Sequence, residues 1–142
     1  MKKFLILSSI LLLMGSCSLD DDVQDFQLEI LPIESVDIPD SFTMGQTYPI
    51  TVSYYMPTTC HLFREFYYEK ENNIRTVAVI DYKYLNKNCE DLENKLVEAT
   101  FNFQVTSNGS YIFKFWQGED EDGENQYLTI EVPVIEETTN NN

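Results

Sequence analysis

The densest group of potentially reactive side chains is Gly118-Glu119-Asp120-Glu121-Asp122-Gly123-Glu124-Asn125. Closely spaced carboxylates are hard oxygen donors of the kind Ca²⁺ selects. The EF-hand pattern does not fit, because an acid would have to stand where Gly118 is and helices would have to flank the run. A solvated acidic hairpin loop over 118–125 is the favoured reading, with a Ca²⁺ site as the alternative and no metal ligand assigned. His61, the sole histidine, follows Cys60. Adjacent strand residues project to opposite faces, so the pair cannot readily act as thiolate and base, and a structural or surface histidine is expected. There is no nucleophile elbow, CxxC pair or Cys/His cluster to carry nucleophilic, redox or zinc chemistry. Asn108-Gly109-Ser110 is formally a glycosylation sequon, yet Asn-Gly reads better as a turn.

The chain has 142 residues, 24 Asp and Glu, nine Lys and Arg, and a net charge of -15. At that acid content, paired carboxylates arise by chance and do not identify a glycosidase. The charge argues against nucleic acid as a partner, since phosphate binding needs clustered cations. No catalytic residue and no cofactor is assigned, and a non-enzymatic protein is expected. Nine Tyr, nine Phe and one Trp among 43% hydrophobic residues are too many for a disordered acidic chain. One domain accommodates the length.

The first residues read as an address. Lys2 and Lys3 precede the apolar run Phe4 to Met14, too short for a bilayer-spanning helix of about 20 residues, and then come Gly15, Ser16 and Cys17. Met14-Gly15-Ser16-Cys17 resembles the lipobox of bacterial lipoproteins, with Met14 departing from the usual aliphatic residue. The resemblance implies removal of residues 1–16, lipidation of Cys17 and anchoring through the acyl chains; an ordinary signal peptide is the rival. Ser18-Leu19-Asp20-Asp21-Asp22 resembles the acidic tract of Bacteroidota lipoproteins exported to the outer face of the outer membrane, and it also reads as a solvated tether over 17–25. With Cys17 lipidated, Cys60 and Cys89 remain as an even pair in an oxidising compartment. A disulfide is expected, with two buried thiols as the alternative.

From Phe26 onward the pattern is that of strands. Phe26, Leu28 and Ile30 alternate with polar residues and are expected to form a half-buried strand interrupted at Pro32. Tyr48, Ile50, Val52 and Tyr54 make a second set. Leu62 to Glu69 makes a third, whose imperfect alternation points to a bulge or to burial on both faces. Asn72-Asn73 turns the chain into Ile74 to Tyr84, where Val77 to Ile80 is apolar enough for burial on both faces. The polar span 86–95 could hold a helical turn around Glu90 to Asn94. Phe101, Phe103 and Val105 form a fifth strand, joined through Asn108-Gly109 by a tight hairpin to a sixth with Tyr111, Phe113 and Phe115. Leu128, Ile130, Val132 and Val134 share one face of the seventh.

This order predicts an all-β, seven-stranded antiparallel Ig-like β-sandwich over 26–135, with a polar tail at 136–142 and a small barrel as the rival. The bridge from Cys60 to Cys89 would lie at one end, unlike the cross-core bridge of antibody domains. Pro57-Thr58-Thr59-Cys60-His61, Arg75-Thr76-Val77-Ala78-Val79, Asn88-Cys89 and Tyr111-Ile112-Phe113-Lys114-Phe115-Trp116-Gln117-Gly118 resemble a group of small Bacteroidota surface lipoproteins of unassigned activity. That resemblance implies the sandwich, the Cys pair and surface anchoring, and it brings no catalytic residues. The expected function is a lipid-anchored outer-membrane, surface-exposed module for binding or adhesion, with a surface protein or a glycan as ligand. The alternative is a carbohydrate-binding accessory of a polysaccharide-uptake system. The latter needs exposed Trp116 and Tyr side chains; the plain reading is that the aromatics fill the core and cover the outer pleat.

Overall fold

The computed structural model describes residues 25–85 and 88–136, so the signal segment, Cys17, the tether and the tail after residue 136 lie outside the described residues. Among the described residues the chain is all β: β1 Phe26–Leu31, β2 Ile33–Asp37, β3 Phe42–Thr43, β4 Thr47–Tyr55, β5 His61–Glu71, β6 Ile74–Tyr84, β7 Leu96–Gln104, β8 Tyr111–Glu119, β9 Asn125–Val132 and β10 Val134–Ile135. Strands β1, β5, β6, β8 and β9 form one sheet, β2, β4 and β7 a second, and β3 and β10 a short parallel pair.

The larger sheet is organised by β6. Its whole length pairs with β5 on one edge, while β1 and β8 share the other. β1 pairs antiparallel with residues 79–84, and β8 pairs parallel with residues 74–77. The seam between them lies at Pro32, which has no N–H for a ladder; there the chain leaves the larger sheet and continues as β2 beside β4. Gly118 sits at the same seam with φ +106, and a Cβ on it would stand 3.7 Å from Pro32 Cγ. Gln117 Nε2 donates to Ile33 O across the gap, 3.3 Å away.

The two sheets face each other over one apolar core, as in a β-sandwich. Ile50, Val52 and Tyr54 of β4 and Ala99 and Phe103 of β7 meet Val77 and Val79 of β6 and Tyr111, Phe113 and Phe115 of β8. Aromatic edges interlock them: Phe103 meets Tyr111 at 4.9 Å and Phe113 at 5.1 Å, both close to perpendicular. The period-two alternation of β4 and β8 thus reports burial directly. Of the two alternatives for the third strand, the bulge is the one present, as a register shift between Phe63 and Glu65.

Four expectations are corrected. The described residues hold ten strands where seven were expected, because Pro32 and Pro133 divide long segments and Phe42–Thr43 adds a short one. The larger sheet is mixed, since the crossover through β7 returns β8 parallel to β6. Asn108-Gly109 does not close a hairpin: β7 pairs with β4 and β8 with β6 and β9, so the turn carries the chain between sheets. Turn propensity is local and is silent on which strands pair afterwards. No helical turn forms at Glu90 to Asn94, where Asp91 bridges to Thr58 and Asn94 takes φ 56.

Cys60 and Cys89 are joined by a disulfide, with Cα atoms 5.4 Å apart. It ties the start of β5 to the loop before β7, the end of the sandwich at which the sequence places it.

Candidate functional site

The faces of the two sheets differ in kind. Outward positions of β4 and β7 include Thr51 and Thr100, whose hydroxyls meet at 2.8 Å, along with Ser53, Glu98 and Asn102, a mostly hydrated surface with one exposed apolar pair, Tyr55 opposite Leu96. The outer face of the larger sheet carries an apolar patch over β1 and the half of β6 beside it, and turns polar toward Thr76, Lys114 and Thr129. The register sets Phe26, Leu28 and Ile30 of β1 opposite Tyr84, Tyr82 and Ile80 of β6. Val79 and Asp81 point to the core, so the alternate residues point away. Phe26, Leu28, Ile30, Leu62 and Tyr67 are between 43% and 53% exposed. The first strand therefore alternates as expected with its apolar set turned the other way: Leu31 faces the core, and Phe26, Leu28 and Ile30 face solvent.

This surface is ordered by its own contacts. Phe26 packs edge-on against Tyr82 at 4.8 Å, Tyr82 stacks with Tyr84 at 6.2 Å, and the Arg64 guanidinium lies 5.4 Å from the Tyr82 ring. Toward the other end, Lys114 Nζ sits 4.6 Å over the Tyr127 ring. Between these groups Ala78, the smallest side chain on the outer face of β6, floors a trough of about 260 Å³ walled by Ile30, Tyr67, Trp116 and Tyr127. Asn125 and Glu119 stand at its rim. Trp116 is half-buried and its indole N–H donates to Asn125 Oδ1 at 2.7 Å, which fixes the ring plane. The register shift after Trp116 bends β8 at this point.

The acidic loop closes the β8–β9 hairpin, as expected, and Asp120 organises it. Asp120 Oδ1 accepts the backbone N–H groups of Asp122 and Glu124 at 3.0 and 2.9 Å, and Oδ2 accepts Gln126 Nε2 at 2.7 Å. Gly123 supplies the positive φ of +79 that completes the turn. The carboxylate best placed to ligate a cation is thus engaged by amide donors. No group of three or more His, Cys, Asp or Glu among the described residues is arranged to hold a metal ion.

A polar cluster lies inside the disulfide-bridged end. His61 is buried; its Nδ1 meets Thr58 Oγ1 at 2.8 Å and its Nε2 meets Glu29 Oε2 at 3.2 Å. Lys83 Nζ reaches the same Glu29 oxygen at 2.9 Å. Burial works to raise the Glu29 carboxyl, and the hydrogen bonds and charges of Lys83 and His61 together outweigh it, holding the group below the ordinary value. Asp81 is 0% exposed. It accepts one bond, from the Tyr54 hydroxyl at 3.2 Å, and its Oδ2 has no hydrogen-bond partner. Burial pushes the Asp81 carboxyl up and, with the Asp81 charge beside it, pushes the Tyr54 hydroxyl up as well. This is the cost of an acid in a dry core, and full burial leaves it no path to a substrate.

His61 is therefore structural, and Cys60 is occupied in the bridge. Sequence reasoning passed over Asp81 and Arg75, the other buried charges. Their signal was present: both lie at inward positions of β6, one on each side of its apolar run Val77 to Ile80. No protein-family model, curated protein or solved structure matches the chain.

Proposed function

We propose that the chain is a lipid-anchored, surface-exposed, non-enzymatic binding module, an Ig-like β-sandwich variant held off the outer membrane by an acidic tether. The observation that carries this reading is the patch on the outer face of the β1–β5–β6–β8–β9 sheet, where ordered aromatic and aliphatic side chains stand half in water, while the outer face of the other sheet shows only the pair Tyr55 and Leu96 among polar residues. A solvent-facing sheet ordinarily presents polar residues, and a contiguous apolar surface marks a contact site. Tyr and Trp bring area and a hydrogen-bonding edge at low entropic cost, which suits recognition. The anchor reading rests on Lys2-Lys3, the apolar run and Met14-Gly15-Ser16-Cys17. Fractionation of cells expressing wild type and Cys17→Ala tests it: the variant is expected in the soluble fraction, and its retention with membranes would refute the anchor.

A second reading, a carbohydrate-binding accessory of a polysaccharide-uptake system, is favoured by the trough. Trp116 and Tyr67 offer apolar walls for a sugar ring, with Asn125 and Glu119 placed at the rim for its hydroxyls. Trp116 is the only tryptophan, so its emission reports on this trough alone. Titration with neutral polysaccharides is expected to shift that emission saturably. An unchanged spectrum across xylan, mannan and glucan would return the face to a protein ligand.

A further inference from the structure

A second cleft lies away from the β1–β8 seam, where the sandwich is open between its edge strands β5 and β7. It holds about 450 Å³, within the range of small-molecule sites. Phe66, Tyr68, Phe101 and Phe103 form its walls; Lys70 and Arg75 supply its only charges, and no carboxylate lines it. In a chain with 24 acids and nine bases, that local inversion of sign is unexpected.

Neither cation has an anionic partner among the described residues. Lys70 and Arg75 are direct cross-strand partners on β5 and β6, an arrangement in which like charges repel. Arg75 is 3% exposed. Its Nη1 donates to Asn72 O at 2.9 Å and Ile74 O at 2.7 Å, and its guanidinium lies 5.0 Å from the Tyr111 ring and 6.0 Å from Phe103. These contacts aim the group without neutralising it. The ion pairs among the described residues are Glu29 with His61 and Lys83, and Arg64 with Glu65; none involves Arg75. A buried cation ordinarily has an anionic partner, and leaving one unpaired is costly.

We propose that this cleft binds a small organic monocarboxylate, its carboxylate between Lys70 and Arg75 and its flat apolar body against Phe66, Phe101 and Phe103. The planar guanidinium fork matches two carboxylate oxygens. The aromatic walls need an apolar body, and the chain's net charge of -15 repels a multiply charged ligand more than a monoanion. The site is separate from the outer face, so neither proposal depends on the other.

The test is an NMR titration of the full chain with 4-phenylbutyrate and with the uncharged 4-phenylbutanamide. The carboxylate is expected to bind at least tenfold more tightly, shifting the backbone amides of Lys70, Asn102, Gln104 and Thr106 and leaving Trp116 emission unchanged. Lys70→Gln is expected to weaken it several-fold and reduce its salt dependence, and Arg75→Lys, which keeps charge and loses the fork, to weaken it about tenfold. Where Arg75→Lys fails to fold, Tyr68→Ser, which removes a 43%-exposed wall of the cleft beside Phe101, is expected to weaken binding several-fold. Equal affinity for acid and amide would overturn the proposal, as would the absence of saturable shifts at millimolar probe. Shifts confined to Tyr127 and Thr129 would overturn it too, by placing the ligand on the outer face.

Discussion

Asp81 shows most sharply what one side chain contributes. Its carboxyl is sealed in the core with one oxygen unpartnered, and its pKa is raised by burial. A raised native pKa means that the folded state holds the proton more tightly than the unfolded one. The associated stability is present below the unfolded value of about 4 and is lost as pH rises through the native value. Asp81→Asn removes that loss. The variant is expected to gain on wild type as pH climbs from 4 to 7, by on the order of 1–3 kcal/mol, the usual cost of a poorly satisfied buried polar group. Urea denaturation at pH 4, 5.5 and 7 measures it, and parallel stability profiles would show that Asp81 does not titrate differently on folding. Glu29 has the opposite sign, because Lys83 and His61 favour its ionised form. Glu29→Gln is expected to lose stability above the ordinary carboxyl range and to match wild type once pH falls below the native value.

At the scale of elements, the long strand β6 and the disulfide do the most. Among the described residues β6 is the strand that pairs with three others, and its central Val77, Ala78 and Val79 are buried on both faces as the apolar run predicts. The bridge closes a loop with a sequence separation of 29 between the base of β5 and the approach to β7, elements that otherwise lie in different sheets. Constraining a loop of that size in the unfolded chain contributes about 2–4 kcal/mol. Replacing both Cys60 and Cys89 with Ser is expected to lower the urea midpoint accordingly without changing the far-ultraviolet spectrum. A midpoint equal to that of wild type would show that the polar contacts of Thr58, Thr59 and Glu90 hold this end unaided.

Across the whole molecule the two sheets divide the labour. Their inner faces make the core, and the larger sheet carries the more extensive apolar patch on its outer face. Phe113→Ala, at 0% exposure among Phe42, Phe103 and Phe115, is expected to cost about 3–5 kcal/mol by opening a cavity. Leu28→Ser on the outer face is expected to change stability by less than about 1 kcal/mol and to reduce 8-anilinonaphthalene-sulfonate binding. If Leu28→Ser were as damaging as Phe113→Ala, the outer face would belong to the folding core and could not serve as a contact surface.

The sequence by itself determined the all-β class, most strand positions, an irregularity in β5, the acidic hairpin loop and the cysteine pair. These follow from local signals: alternation with period two, turn residues and the parity of the thiols. The inward sides of β4 and β8 were legible because only one of their faces is apolar. Alternation in β1 revealed two faces without saying which was inside. That depends on β1 adding to β6 beyond the end of β8, a partnership between residues about fifty positions apart. The same holds for the parallel β6–β8 pair and for Asn108-Gly109 crossing between sheets. Lys70 and Arg75, too, become a site only when β7 brings Phe101 and Phe103 across from the other sheet. Pairing and sheet membership are set by the competition among long-range contacts for one shared core, and no local stretch of sequence carries that information alone.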